Sequence, residues 1–297
     1  HEAQQAGITL IMITGDHKDT AEAIAGRLGI IEPGDDAAVL TGAELNLMSD
    51  AEFAANITNY SVYARVSPEH KVRIVKAWQQ AGKVVAMTGD GVNDAPSLKQ
   101  ADIGIGMGIT GTEVSKGASD MVLADDNFAT IVVAVEEGRK VFSNIQKAIQ
   151  FLMAANLGEV LVLFIATLLG WDTLLPIHLL WINLVTDTFP AIALGMEPAE
   201  GNLMARKPRG KNSNFFSGGV MSSIIYQGIL EGVTVLFVYW SAIKWPAHTA
   251  LNRVGLTATE LYDLQHADAL TMAFATLGLM QLFHAFNVKS VHQSLFT

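Results

Sequence analysis

Two carboxylates and an amide crowd the short run Asp90-Gly91-Val92-Asn93-Asp94. That donor set suits Mg2+, which takes one or two protein carboxylates together with phosphate oxygens and water. The run follows Thr88-Gly89, and the tripeptide Thr-Gly-Asp recurs at Thr14-Gly15-Asp16. Thr14 could offer a hydroxyl, and Gly15 a backbone N–H, to phosphate oxygens. Lys71, in the first turns after Pro68, could place positive charge on the equatorial oxygens of a transferring phosphoryl group. Arg65 adds a further cation at a strand end. Each of these is ordinary alone; together they suggest phosphoryl chemistry.

A second set of polar residues stands in much greasier sequence. Asn156 and Glu159 are three apart, and Asn183, Thr186 and Asp187 are spaced i, i+3, i+4, so each set shares a helix face. Gln281 and His284 repeat the i, i+3 spacing. A carboxylate inside a bilayer costs roughly 2.5–3.5 kcal/mol on insertion scales, which makes Glu159 and Asp187 functional candidates. Carboxylate, amide and hydroxyl oxygens, without sulfur or clustered imidazole, suit a hard cation. Pro190 lacks an N–H, which frees the carbonyl of Thr186 and bends the helix. Interhelical hydrogen bonding accounts for Asn156, Asn183 and Thr186 one at a time, but not for two carboxylates on adjacent helices. His284 alone reads as a packing or interfacial residue.

The elements that must hold these residues divide the chain in two. Half of the 297 residues are hydrophobic, 16% are charged, and the net charge is −10. Mean hydropathy is +0.32, too apolar for a typical soluble enzyme. The acidity argues against a nucleic-acid partner, and the absence of cysteine excludes disulfides and thiolate chemistry. Residues 1–130 hold 18 acids and 9 bases, whereas residues 131–297 hold 11 and 10. In the first part, strand-like runs at 8–13, 61–66, 83–87, 103–107 and 121–123 alternate with helical patterns, which implies a parallel sheet covered by helices. Both Thr-Gly-Asp tripeptides fall at the carboxyl ends of strands, where such sheets gather their chemistry. In the second part, four apolar runs reach bilayer length, at 151–170, 174–195, 220–243 and 267–286. Arg139, Lys140 and Lys147, then Arg206, Lys207, Arg209 and Lys211, flank one side, against only Lys244 and Arg253 on the other. The positive-inside rule therefore puts residues 1–150 and the 196–216 loop in the cytoplasm. Between the two parts, residues 129–150 carry a helical apolar pattern interrupted only by Gly138, so a continuous stalk helix over 131–150 is expected to lead into the first span.

Longer strings are more specific. Thr88-Gly89-Asp90-Gly91-Val92-Asn93-Asp94-Ala95-Pro96 stands with Arg65-Val66-x-Pro68-x-His70-Lys71 and Met121-Val122-Leu123-Ala124-Asp125-Asp126. With Asn156-Leu157-Gly158-Glu159 and Leu180-Trp181-Ile182-Asn183-Leu184-Val185-Thr186-Asp187, they resemble the P-type cation-transporting ATPases. The likeness is strongest to calcium pumps of the sarco/endoplasmic-reticulum type and their bacterial relatives. It implies a Rossmann-like, haloacid-dehalogenase-like partial domain over 1–130, followed by an all-α transmembrane bundle over 151–297. Asp90 and Asp94 would hold Mg2+, and Lys71 would lie near the phosphoryl group. Thr14, Gly15 and Asp16 would face the phosphoryl/ATP site, with Arg65 and Asn93 toward the nucleotide. Asn156, Glu159, Asn183, Thr186 and Asp187 would ligate Ca2+, with Gln281 contributing.

Departures from the family pattern set further expectations. The Asp-Lys-Thr-Gly-Thr string with the phosphorylated Asp, the Thr-Gly-Glu-Ser loop, a nucleotide-binding domain and the first four membrane helices are not among these residues. The chain is therefore expected to be the later part of a multi-pass pump in a lipid bilayer, that of a bacterial cell membrane. It would need the missing N-terminal part of the same pump and be inactive without it. Sodium pumps have Asp where Asn183 stands, and manganese-tolerant relatives lack the Glu at Glu159. Reticulum-type calcium pumps have Glu where Gln281 stands, which leaves one or two ions per cycle open. Alternatives are a pump for Mn2+, Na+ or another cation, or a membrane-anchored dehalogenase-fold phosphatase. The phosphatase would need a strand-end Asp with another two residues on, and none precedes Thr14.

Overall fold

The computed structural model describes residues 1–32, 34–210, 213–245 and 257–290. Lys211 and Arg253, counted above for membrane orientation, lie outside the described residues. The chain divides into two compact units, His1–Glu137 with Asn202–Ser213, and Gly138–Gly201 with Asn214–Thr297.

The first unit contains six short parallel strands: β1 Met12–Ile13, β2 Val39–Thr41, β3 Val62–Ala64, β4 Ala86–Gly89, β5 Ile103–Met107 and β6 Met121–Leu123. They form two three-stranded sheets, ordered β1-β3-β2 and β4-β5-β6, where the hydropathy pattern had implied one. Only the last two residues of the apolar run 8–13 pair as a strand, Met12 with Val62 and Ile13 with Tyr63. β2 lies in a segment without strand-like alternation, and its pairing with β3 secures it. A shared core of Val75, Met87 and Leu98, with Ile13 and Val85 against it, joins material from both sheets.

Two helices show why the site residues stand where they do. α1, Lys18–Leu28, follows the Thr14-Gly15-Asp16 turn and ends at Gly29, whose left-handed conformation (φ 71°) closes a helix at little cost. α2, Pro68–Gln80, is started by Ser67. The Ser67 hydroxyl accepts from the His70 N–H, and His70 Nδ1 accepts from the Ser67 N–H at 3.1 Å. Pro68 fits the first helical position because no hydrogen bond is lost there. Ile74, Val75, Ala77 and Trp78 form the buried face of α2, which leaves Lys71 in its first turns beside β4.

The second unit is helical. α3, Phe128–Leu169, is one unbroken helix of 42 residues, about 63 Å at 1.5 Å per residue, and Gly138 does not interrupt it. α4, Pro176–Gly195, α5, Val220–Lys244, and α6, Ala258–Lys289, complete the four helices that, among the described residues, are long and apolar enough to cross a membrane. Within α4, Ile182–Asp187 is wound as a π-helix, between α-helical Pro176–Trp181 and Thr188–Gly195. Pro190 follows three residues after Asp187, and its missing N–H is one identifiable cause of such local rewinding. Val162, Ile182, Val235, Ala269, Ala273 and Leu277 pack between the helices. The outward faces are apolar instead of charged: Phe164, Phe189 and Phe283 are each more than 60% exposed. Helices buried in a soluble core would not leave such residues facing outward, and lipid explains them.

At one end of this unit polar contacts bind the helices together. Asn144 of α3 donates to the carbonyls of Gly195 (3.3 Å) and Glu197 (2.7 Å), which satisfies the end of α4. Buried Lys147 donates to the carbonyl of Lys289 at 2.7 Å and pairs with Glu200 at 3.6 Å.

Candidate functional site

In the first unit, the strand-to-helix turn after β4 is organised around Asp94. Lys71 Nζ donates to Asp94 Oδ1 at 2.5 Å. The backbone N–H groups of Gly91 (3.1 Å) and Asp90 (3.3 Å) donate to Oδ2. Burial alone would push this carboxyl up. The Lys71 ammonium and the two N–H donors outweigh it and hold Asp94 below the usual carboxylate range. Gly89 makes the approach possible: a Cβ there would stand 2.5 Å from Asp94 Cβ. Asp90 and Asn93 are exposed, and the Asp90 carbonyl accepts from the Thr112 N–H and the Ser115 hydroxyl at 2.8 and 2.9 Å. The turn thus presents one fixed carboxylate, one outward carboxylate and an amide. These oxygens fit a small hard cation such as Mg2+, with Lys71 alongside to meet a phosphate.

The second turn, after β1, has its own network. The Thr14 hydroxyl donates to Asp16 Oδ2 at 2.8 Å and accepts from the Asp16 N–H at 3.1 Å. The Arg65 N–H donates to the Asp16 carbonyl at 3.1 Å, and the Arg65 guanidinium meets His17. Arg65 holds a φ of 51°, unusual for a residue other than glycine, which the contacts on both sides of it must sustain. Gly15 and Asp16 are exposed at the tip.

The loop after β5 is closed by Asp126, which no sequence reasoning singled out as structural. Its carboxylate accepts from the N–H groups of Gly108 (2.6 Å), Ile109 (3.0 Å) and Thr110 (2.7 Å), and from the Thr110 hydroxyl (2.7 Å). Those donors, the Ile109 N–H first among them, hold Asp126 down at about 2.

In the second unit, four of the expected polar residues form one network. Glu159 of α3, buried, accepts from Asn183 Nδ2 through Oε2 (3.2 Å) and from Gln281 Nε2 through Oε1 (3.1 Å). The Thr186 hydroxyl donates to Gln281 Oε1 at 2.8 Å and contacts the Ile182 carbonyl at 2.9 Å. Asp187 is 2% exposed, yet neither of its carboxylate oxygens has a partner. Asn156 does not join: it is exposed, and its amide donates to the Leu152 carbonyl of its own helix. His284 is buried, stacked on Phe151 at 5.6 Å, with Nε2 unpartnered.

A residue outside the expected set belongs here. Glu231 of α5 is 3% exposed, its Oε1 has no partner, and it lies within electrostatic reach of Asp187 and Glu159. An acid in an apolar run of bilayer length was the available signal, the same that marked Glu159. Among the described residues, no three acidic or histidine side chains converge at metal-ligand spacing. The cluster is thus a set of charges and oxygens around a polar network, and closing on a cation requires the carboxylates to turn inward.

Parallel sheets with acid-bearing turns, joined to four membrane-length helices that enclose carboxylates, define a multi-pass membrane protein with a haloacid-dehalogenase-like domain. Residues 1–102 match the haloacid dehalogenase-like hydrolase family, and residues 172–297 match the C-terminus of cation transporting ATPases. The chain belongs to the P-type cation-transporting ATPases, as their later part. It is 51% identical to calcium-transporting ATPase 1 of Bacillus cereus, over the whole of this chain and 33% of that protein. It is 46% identical to the calcium-transporting ATPase of Bacillus subtilis, over 97% of this chain and 31% of that protein. The endoplasmic reticulum calcium ATPase srcA of Aspergillus fumigatus is 39% identical, over 99% of this chain and 32% of its own length. The chain thus spans about a third of the length of the curated relatives it matches.

Proposed function

We propose that this chain is part of an ATP-driven pump that exports Ca2+ from the cytoplasm through an aspartyl-phosphate intermediate, whose Asp lies outside the present sequence. The observation that carries the reading is the membrane cluster: Glu159, Asn183, Thr186 and Gln281 joined in one network, with Asp187 buried and unpaired beside it. Oxygen-only donors with uncompensated negative charge suit a hard divalent cation, and each similar protein named above is called a calcium-transporting or calcium ATPase.

In the first unit, Asp90 and Asp94 would hold Mg2+, which when bound supplies charge neutralisation at the phosphoryl oxygens. Lys71 orients Asp94 and would offer its ammonium to the phosphate. Thr14, Gly15 and Asp16 form an exposed turn for the phosphoryl/ATP side, with Arg65 and Asn93 toward the nucleotide. Residues 1–150 would be cytoplasmic, consistent with Arg139, Lys140 and Lys147 before the first span. The unbroken α3 carries Glu159 on the same helix that begins at Phe128, so a movement of its start reaches the cluster without a linker.

The test is Ca2+ uptake by membrane vesicles containing the full-length pump with this stretch, compared with Glu159→Gln. Ca2+-dependent phosphoenzyme and uptake in the unaltered pump, lost in the variant, support the reading. Uptake of Na+ or Mn2+ in place of Ca2+, or phosphatase turnover indifferent to Glu159→Gln, would overturn it.

A further inference from the structure

We propose that Glu231 of α5 is a third carboxylate of the cation site, supplying from a neighbouring helix the negative charge that Gln281 lacks. The inference rests on the reading of the Glu159/Asp187 cluster as a cation site.

Burial is the first support. Glu231 sits midway along a 25-residue apolar helix and is 3% exposed, so its carboxylate is removed from water as thoroughly as those of Glu159 and Asp187. Its Oε1 has no hydrogen-bond partner, and neither oxygen of Asp187 has one. Buried carboxylates are paired or bind cations in nearly all structures, because desolvation of the charge is otherwise uncompensated. Two cations of the same helices, Lys147 of α3 and Lys244 of α5, are engaged elsewhere. Lys147 pairs with Glu200, and Lys244 sits over the rings of Trp240 and Trp245.

Placement is the second. Glu231 packs against α3 at Gly158, one residue before Glu159. A Cβ at Gly158 would stand 3.1 Å from Glu231 Oε2 and 3.2 Å from its Cδ, so the absence of a side chain there admits the carboxylate. Gly228 and Gly232 flank Glu231 on α5. A Cβ at Gly228 would meet Leu157 at 2.9 Å, and one at Gly232 would lie 3.4 Å from the Gly158 carbonyl. Gly-x-x-x-Gly spacing is the small-residue pattern that lets two membrane helices approach closely. Here the approach brings an acid, not an apolar residue, to the α3 backbone beside Glu159.

Room is the third. Glu231 also lines a cavity of about 270 Å3 with Gln227, Met280, His284 and Asn287. Gln227 Oε1 and His284 Nε2 in its wall likewise lack partners. The lining is mostly apolar, but the polar ends of Glu231, Gln227 and His284 are set together in it, and the space is large enough for water held by them, so a cation at Glu231 could keep part of its hydration shell.

The test is equilibrium binding of radioactive Ca2+ to the full-length pump in lipid, with Ca2+-dependent phosphoenzyme as a second readout. Glu231→Gln should weaken Ca2+ binding by about 10- to 100-fold. Gln281→Glu added to that variant moves the charge to α6 and should restore most of the affinity. Thermal unfolding in chelator reports whether each variant is folded. Equal affinity of Glu231→Gln and the unaltered pump would overturn this inference alone. A loss that Gln281→Glu does not rescue would overturn it too, because packing damage is indifferent to charge on α6. If the unaltered pump binds no Ca2+, the functional reading fails and this inference with it.

Discussion

Asp94 and Asp187 are both buried carboxylates, and the protein treats them oppositely. Around Asp94 the chain supplies every counterpart: an ammonium on Oδ1 and two backbone N–H groups on Oδ2. Around Asp187 it supplies none. On the proposed reading, the difference follows from what each site would have to do. A carboxylate that steadies a metal beside a phosphate must already be ionised and oriented, so its surroundings are pre-arranged. A carboxylate that takes up and releases a cation must leave its compensation to what binds, because a fixed partner would compete with the cargo. On the proposed reading, preorganisation in one unit and uncompensated charge in the other would serve two parts of one transport cycle.

The contrast can be broken most severely at Asp94. Asp94→Asn in the full-length pump should cut turnover by roughly 10²–10³-fold, the usual cost of losing one preorganised electrostatic group. It should leave equilibrium Ca2+ binding intact, measured on the same preparation. Loss of both would mean that the two sites are not separable in this way.

At Asp187 the expected pattern inverts. Asp187→Asn should weaken Ca2+ binding by about 10- to 100-fold. In chelator it should also raise the thermal unfolding midpoint, since an amide of the same shape is less costly to bury than an uncompensated carboxylate. A lowered midpoint would show that Asp187 has compensation from the protein after all.

Gly158→Ala sharpens the comparison within the membrane. The added methyl would crowd Glu231 and cost about 1–3 kcal/mol of stability as an overpacked interface. Chemical denaturation of the reconstituted protein measures it, and a neutral result would mean that α5 can withdraw freely from α3.

The smallest effect concerns pH in the first unit. Asp126, held at about 2 by the N–H groups of the loop after β5, is depressed in the folded state relative to the unfolded one. Its contribution is therefore present above about pH 4, the ordinary carboxylate value, and is lost as pH falls through about 2. Hydrogen exchange at Gly108, Ile109 and Thr110 should accelerate over that acid window and not above it. Asp126→Asn should abolish the pH dependence.

Much of this was legible in the chain. Apolar length alone indicated four membrane helices, because a bilayer imposes one length scale on every crossing. The helix start at Pro68 follows from proline's fixed φ and missing N–H and could be read residue by residue, whereas the Ser67 cap emerged with the structure. The spacing of Asn183, Thr186 and Asp187 put them on one face, and Thr186 and Asn183 do meet partners from other helices. Local pattern could not determine which strands pair, since β2 and the two paired residues of the run 8–13 depend on partners far away in sequence. Nor could it tell Asn156, which turns back to its own helix, from Gln281, which reaches Glu159 across 122 positions. The sequence by itself determined the kinds of charge available and the lengths of the elements that carry them, because both are properties of consecutive residues. Only the tertiary structure decided which charges are compensated. That depends on helices approaching closely enough, at glycines such as Gly89 and Gly158, for one side chain to reach another.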